Sequence, residues 1–247
     1  VIKENKVMDE LKEDGFAIIR NAFKKEDIEG LSSTIKKIFS GHSQPGEDIF
    51  ATCERLDKED RDLLYRIYQY SPTTLVMDLL RQKCFEYAKA YFKDEDGVYI
   101  YVDSHVIINL PHSDRISWGW HQESTYHPEV EKCIGFWFPF LEPSTKSNGT
   151  MSVLKGSHLN GQFPYSINKP TVDSATTLTP NDIAKYTAEF AEVHCFLDPG
   201  DLLMFDQNLV HKSNSNISDR ARFTAVIRIA CIDKIPSHFD VITRNTN

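Results

Sequence analysis

The sequence predicts an α+β domain in which helices support a β-sandwich or jelly roll. Helical periodicity is confined to roughly the first 95 residues, and short β-rich segments separated by turn residues follow from Val98 to Ile232. One polar insertion, over about 157–190, breaks the strand series. A chain of 247 residues is an ordinary length for one such unit. Residues 1–247 therefore read as a single domain, with helical support mainly over 1–95 and the jelly-roll core mainly over 96–235.

Residues 4–14 read as a short polar helix closed by Asp14-Gly15, and Phe16–Arg20 as a short strand. A helix is expected from Lys25 to Phe39, because Ile28, Leu31, Ile35, Ile38 and Phe39 recur at helical spacing. Gly41–Glu47 is loop, with Pro45-Gly46 as a turn. A helix over 57–69 follows, and Ser71-Pro72 opens another that runs to about Phe92. After Asp96-Gly97 the pattern turns to strands: Val98–Val102, His105–Leu110, Cys133–Leu141, Thr150–Leu154, Val193–Leu197, Asp201–Phe205 and Arg222–Ile232. Thr179-Pro180-Asn181-Asp182 starts a short helix in the insertion, which reads equally as an active-site lid or a surface excursion.

A net charge of -8 argues against a general nucleic-acid binder. The five cysteines are scattered and include no C-x-x-C pair, so they read as buried thiols of a reduced compartment. No apolar run reaches membrane-spanning length. The opening Val1-Ile2-Lys3-Glu4-Asn5 is no signal peptide and lacks an initiating Met, so residues upstream of it are expected. The expected protein is cytoplasmic, a monomer or homodimer, with a small-molecule substrate and neither nucleic acid nor membrane as partner.

Chemistry concentrates in two stretches. In Trp120-His121-Gln122-Glu123, an imidazole and a carboxylate two residues apart on an extended segment share a side. His211 supplies a second imidazole, and two histidines with one carboxylate make the facial triad of non-haem iron oxygenases. A lone His-x-Glu is a weak signal, and His127-Pro128-Glu129 is a rival copy. Proline disfavours the rival on a strand, leaving His127 substrate-facing, outside the metal ligands or on the surface. The distal stretch strengthens the first copy. Ser213 and Arg222 follow His211 by two and eleven residues, across a turn containing Asn214, Asn216, Ser218 and Asp219. A guanidinium binds a carboxylate through two parallel hydrogen bonds and a hydroxyl adds a third, which suits an oxo-acid cosubstrate.

These stretches resemble the phytanoyl-CoA dioxygenase family of Fe(II)- and 2-oxoglutarate-dependent oxygenases. Asp14–Asn21 is similar to the family's opening strand, and Trp120-His121-Gln122-Glu123 to its Trp-His-x-Asp motif. Asn148-Gly149 with Gly156-Ser157-His158 resembles its Asn-Gly…Pro-Gly-Ser-His segment. Pro199-Gly200-Asp201 through His211-Lys212-Ser213 to Arg222 resembles its distal motif. Two positions depart: Glu123 stands for the usual Asp, and Lys155 for the usual Pro. The resemblance implies a double-stranded β-helix (cupin-like jelly roll) with flanking N-terminal helices. It implies Fe(II) on His121, Glu123 and His211, with O2 as oxidant. It implies 2-oxoglutarate on Arg222 and Ser213; Asn109 contacts it or makes a strand-end hydrogen bond, and Gln122 points away from the metal if the strand alternates or reaches the cosubstrate through a bend. The implied reaction hydroxylates an unactivated C–H and releases succinate and CO2. Trp118 and Trp120 flank the site, as core packing or pocket lining. The pocket is expected among residues 41–55, Ser113–Trp118, 124–130 and 157–190, with Arg55, Arg115 and Lys155 either meeting an anionic substrate or solvated. Two rivals remain: a zinc hydrolase or isomerase on the same triad, and a non-catalytic jelly-roll module for a sugar or small acid.

Overall fold

The computed structural model of the chain describes residues 2–70, 74–93, 97–113, 115, 117–128, 130–171 and 175–232. Helix α1 spans Ile2–Asp14 and strand β1 spans Phe16–Ile19. Four helices follow: α2 (Lys25–Ser40), α3 (Ile49–Glu59), α4 (Arg61–Tyr70) and α5 (Leu75–Phe92). The remaining strands are β2 (Val98–Asn109), β3 (Lys132–Pro139), β4 (Met151–Leu154), β5 (Tyr165–Asn168), β6 (Thr177–Pro180), β7 (Glu192–Cys195), β8 (Leu202–Asp206), β9 (His211–Ser213) and β10 (Arg222–Ile232). Helix α6 (Ile183–Glu189) lies between β6 and β7. The larger sheet has the order β1-β8-β3-β10-β2 and the smaller β7-β4-β9, with every pairing antiparallel. This is the two-sheet jelly roll with helical support.

Helix packing follows directly from sequence spacing. Ile28, Leu31, Ile35 and Phe39 of α2 are buried on one stripe, and Met77, Leu80, Cys84 and Ala88 do the same for α5. They cover one face of the larger sheet, meeting Phe223, Ala225, Ile227 and Ile229 of β10 and Ile134, Phe136 and Phe138 of β3. The opposite face looks into the jelly roll. There Trp137, Leu203, Phe205 and Val226 meet Met151, Val153 and Cys195 of the smaller sheet. Both faces of β10 are thus covered, and its side chains alternate between the two compartments. Arg222, Thr224, Val226 and Arg228 share the inner face. Three polar residues on that face put charge inside the molecule, where a binding site belongs.

Several boundaries differ from the sequence reading. The two strands expected over Val98–Val102 and His105–Leu110 are one strand, β2, with a bulge where its pairing to β10 shifts after Arg228. The helix expected over 57–69 is instead α3 and α4, and α3 begins at Ile49 where Asp48 accepts from the Ala51 amide. The Ser71-Pro72 start lies outside the described residues apart from the helix that follows, which begins at Leu75. The insertion holds an unexpected hairpin, β5–β6, whose short polar strands carry no two-residue alternation strong enough to read. The five cysteines are buried, and none forms a disulfide among the described residues. Among the described residues, no helix is long and apolar enough to cross a membrane.

Candidate metal centre

His121 and His211 are brought together by backbone. They form an isolated antiparallel bridge, each amide donating to the other's carbonyl at 2.9 Å. Directly opposed residues project their side chains to the same side, and the two imidazole centroids lie 4.2 Å apart. Gln122 is extended at φ -123 and ψ 141, which keeps Glu123 on the same side as His121. Glu123 itself opens a one-turn 3-10 helix, Glu123–Thr125, rather than continuing a strand as expected. The turn is closed by the Tyr126 amide donating to Glu123 O at 3.0 Å and tied by the Ser124 amide to Gln207 O, next to the residues leading into β9. The ligand-type atoms of His121, Glu123 and His211 all lie within 4.8 Å of one another, and all three residues are buried.

Tautomers follow from the hydrogen bonds. His121 Nδ1 lies 2.7 Å from Gly119 O, and His211 Nδ1 lies 2.9 Å from Leu209 O. A carbonyl only accepts, so both Nδ1 atoms carry hydrogen and both Nε2 lone pairs stay available. Those Nε2 atoms lie 3.8 Å and 3.2 Å from Glu123 Oε1. Burial opposes charge on Glu123. The Arg228 guanidinium, whose Nη2 donates to Oε1, outweighs it and holds the carboxyl well below its ordinary range. For His211, burial and the neighbouring His121 together favour the neutral ring.

The imidazole of His211 also rests on Phe205, with ring centroids 4.8 Å apart. Gly135, on β3 opposite Phe205, makes this contact possible: a Cβ there would sit 2.4 Å from the phenyl ring. Behind His211, Ser157 Oγ accepts from the Val210 amide at 2.9 Å. The Gly156-Ser157-His158 segment is tied in turn to Asp14, whose carbonyl accepts from Gly156 N and whose carboxylate pairs with Lys155 at 3.0 Å. Lysine in place of proline therefore adds a link between two motifs distant in sequence.

A cavity of about 420 Å³ opens on the triad. Its wall includes Ser213, Trp118, Trp137, Phe205, Asp103, His105, Tyr126, His127 and Arg228. Of the two tryptophans, Trp118 lines the cavity, whereas Trp120 carries Lys212 over its ring at 4.2 Å. Arg222 is 3% exposed and its guanidinium lies 5.6 Å from the Trp137 ring. It donates to Asn148 O at 3.3 Å, and its Nε has no partner among the described residues. Among the described residues no carboxylate pairs with it, and burial pulls its pKa down to about 9. Asn109 sits directly across from it, buried, with both side-chain polar atoms unpartnered. Neither Arg222 nor Asn109 belongs to the cavity wall; Ser213 and Trp137 do. The carbonyl that Arg222 uses precedes Gly149, at φ +80, where any Cβ would lie 2.2 Å from Asn214 O.

Gln122 requires correction as a cosubstrate contact. Its side chain is fully buried, donates to Gly161 O (2.9 Å) and Asn208 O (2.6 Å), and accepts from Phe163 N (2.8 Å). Every polar atom of the amide is used to clamp two loops, on the side away from the triad. The expected pocket lining is also revised. Arg55 is held by Glu47, Arg115 by Asp57 and Lys155 by Asp14. The loop over 41–55 contributes nothing to the wall, whereas Tyr65 of α4 does. The described residues of the insertion brace the site: Leu178 N donates to Tyr126 Oη (2.9 Å) and Gly119 N to Thr177 Oγ1 (3.2 Å). His127 lines the cavity, in keeping with the substrate-facing reading.

Sequence reading missed Asp103, His105 and Arg228. The usable signal was period two: Asp103, His105, Ile107 and Asn109 share one face of β2, and Arg222, Thr224, Val226 and Arg228 share one face of β10. Polar residues recurring on the inner face of otherwise apolar strands mark a buried site.

The residues present fit an iron and a 2-oxo diacid. Two imidazole nitrogens and one carboxylate converge, and an unpaired buried guanidinium with an orphaned asparagine stands one cavity wall away. A Dictyostelium discoideum protein, phytanoyl-CoA dioxygenase domain-containing protein 1 homolog, is 31% identical over 105 residues, 41% of this chain and 36% of its own length. Phytanoyl-CoA dioxygenase 1 of Oryza sativa subsp. japonica is 29% identical over 111 residues, 44% of this chain and 37% of its own. The matched stretches thus span little more than a third of either relative. Among solved structures, EvdO2 from Micromonospora carbonacea var. aurantiaca complexed with 2-oxoglutarate superposes with a TM-score of 0.64 at 17% identity, covering 92% of this chain and 90% of that one. The epimerase SnoN, with Fe3+, alpha ketoglutarate and nogalamycin RO, gives 0.62 at 12% identity, covering 93% and 84%. EctD from S. alaskensis with bound Fe gives 0.61 at 19% identity, covering 91% and 75%. Residues 11–224 match the family model described as phytanoyl-CoA dioxygenase, and the chain belongs to that family.

Proposed function

We propose that this protein is an Fe(II)- and 2-oxoglutarate-dependent oxygenase that hydroxylates an unactivated C–H of a small molecule, releasing succinate and CO2. The observations that carry the reading are the buried His121–Glu123–His211 cluster and the buried Arg222, which no carboxylate neutralises among the described residues. His121 Nε2, His211 Nε2 and a Glu123 oxygen would hold the metal. Bound there, iron supplies the oxidative decarboxylation of the oxo acid and the oxidising equivalent for the substrate. Three protein ligands leave positions open for that chemistry.

The chain's own residues supply orientation and exclusion. Arg222 offers charge for a terminal carboxylate, and Ser213, on the wall of the same cavity, offers a hydroxyl. The Nδ1–H bonds to Gly119 O and Leu209 O keep both rings turned so that Nε2 faces inward. Phe205, Trp137 and Met151 give the cavity apolar lining that keeps water from the site, and the β5–β6 hairpin supports Tyr126. Asp103, His105, His127 and Tyr65 give the far wall a polar character suited to a small hydrophilic substrate.

Anaerobic addition of Fe(II) and 2-oxoglutarate tests the reading. A visible charge-transfer band is expected, followed by succinate release when a substrate panel is screened in air. Absence of the band, with tight zinc binding instead, would transfer the triad to hydrolytic or isomerising chemistry.

A further inference from the structure

The triad carries glutamate, a side chain with one more rotatable bond than aspartate, and a structural device beside it answers that extra freedom. The Arg228 guanidinium donates through Nη2 to Glu123 Oε1 at 2.7 Å. Through Nη1 it grips both oxygens of Asp103 at 2.8 and 3.0 Å. Asp103 and Arg228 are direct cross-strand partners of β2 and β10, and the register shifts immediately beyond them: Ile229 pairs with Tyr101, leaving Val102 as the extra residue. A bulge at such a place re-aims the side chains next to it. Beyond it the inner face turns apolar, with Ile100, Val130, Cys133 and Ala230 packed together. The polar interior therefore ends in this pair, and the pair ends on Glu123.

We infer that Arg228, anchored by Asp103, is a positioning residue for Glu123: it fixes which oxygen of the longer carboxylate faces the two histidine nitrogens. This rests on the metal reading of the triad. Oε1, the oxygen bonded by Arg228, is the same atom that lies 3.2 Å from His211 Nε2 and 3.8 Å from His121 Nε2. The charge count explains the second carboxylate. Arg228 alone would cancel Glu123 and weaken its attraction for a cation. With Asp103 present, two carboxylates and one guanidinium leave one net negative charge, the charge of a lone carboxylate ligand. The forked guanidinium bridges both groups at once, which a lysine ammonium does not do with the same directionality.

The test uses the full chain free of metal, titrated with Co(II) and followed by visible absorption. Wild type is expected to bind with a defined ligand-field spectrum. Arg228→Met is expected to bind about 10–100-fold more weakly, with shifted bands, as outer contacts to metal ligands generally require. Arg228→Lys should recover only part of the affinity. Asp103→Asn, nearly the same size, should weaken binding and shift the bands as well, and it decides the matter if Arg228→Met does not fold. Wild-type affinity and an unchanged spectrum in folded Arg228→Met or Asp103→Asn would overturn the inference, as would weaker binding without any spectral change. No Co(II) uptake by wild type would instead bring down the reading of the triad itself.

Discussion

Replacing Arg222 by methionine is expected to stabilise the ligand-free protein and to abolish its stabilisation by 2-oxoglutarate. Burial moves the guanidinium from 12.5 to about 9. At about 1.4 kcal/mol per pKa unit, holding it charged in the fold costs roughly 5 kcal/mol. Its bond to Asn148 O returns about 1.5–3 kcal/mol. Methionine fills much of the same space without charge, so a net gain of about 2 kcal/mol follows, within the range of about 1–4 kcal/mol for apolar replacement of buried charges. For a chain of this size that raises Tm by about 4–8 °C. The sign with pH follows from a folded pKa depressed below the unfolded one. The cost is fully present below about pH 9 and shrinks as pH rises from there toward 12.5, so the variant's advantage narrows on going from pH 8 to pH 10. With Mn(II) present and 2-oxoglutarate at a hundred times its Kd, wild type should gain about 2.7 kcal/mol and the variant nothing. Thermal unfolding of both proteins with and without 2-oxoglutarate reads every arm. A less stable apo variant, or a variant that keeps the wild-type 2-oxoglutarate shift, refutes the reasoning.

Three other substitutions separate ligand from scaffold. His211→Ala should abolish metal uptake and substrate-linked succinate release; wild-type turnover in that variant would remove His211 from the metal set. Gln122→Leu should cost about 2–4 kcal/mol, because it leaves Gly161 O, Asn208 O and Phe163 N buried without their partner. The folded fraction should keep the wild-type 2-oxoglutarate requirement, and a raised requirement would restore Gln122 to the cosubstrate site. Gly135→Ala places a Cβ 2.4 Å from the Phe205 ring and should cost about 1–3 kcal/mol, with weaker metal binding as the phenyl leaves His211. Unchanged Tm and metal affinity would show that Phe205 moves aside freely.

Much of the architecture was legible because it rests on local chemistry. The stripe of α2, the Asp14-Gly15 stop and the strand Arg222–Ile232 are each written in a few neighbouring residues. The β5–β6 hairpin was not legible, since β5 is exposed along its whole length and leaves no two-residue pattern. Nor was the division at Asp60 between α3 and α4, where no proline or glycine marks the break.

The site divides in the same way. Sequence by itself determined the donor types: His121, Glu123, His211, Ser213 and Arg222 stand at spacings that one extended segment and one strand–turn–strand can bring to a common face. Tertiary structure alone decided where the remaining polar groups go. It closed the backbone bridge between His121 and His211, turned Gln122 away into a loop clamp and left Arg222 without a counter-charge. It also set Asp103 against Arg228 on Glu123. Those outcomes depend on strand register and on a bulge, both fixed by long-range pairing between β2 and β10. A one-residue shift in that pairing would exchange Arg228 for Ile227 or Ile229 on the inner face, and no local pattern within β10 records which register is taken.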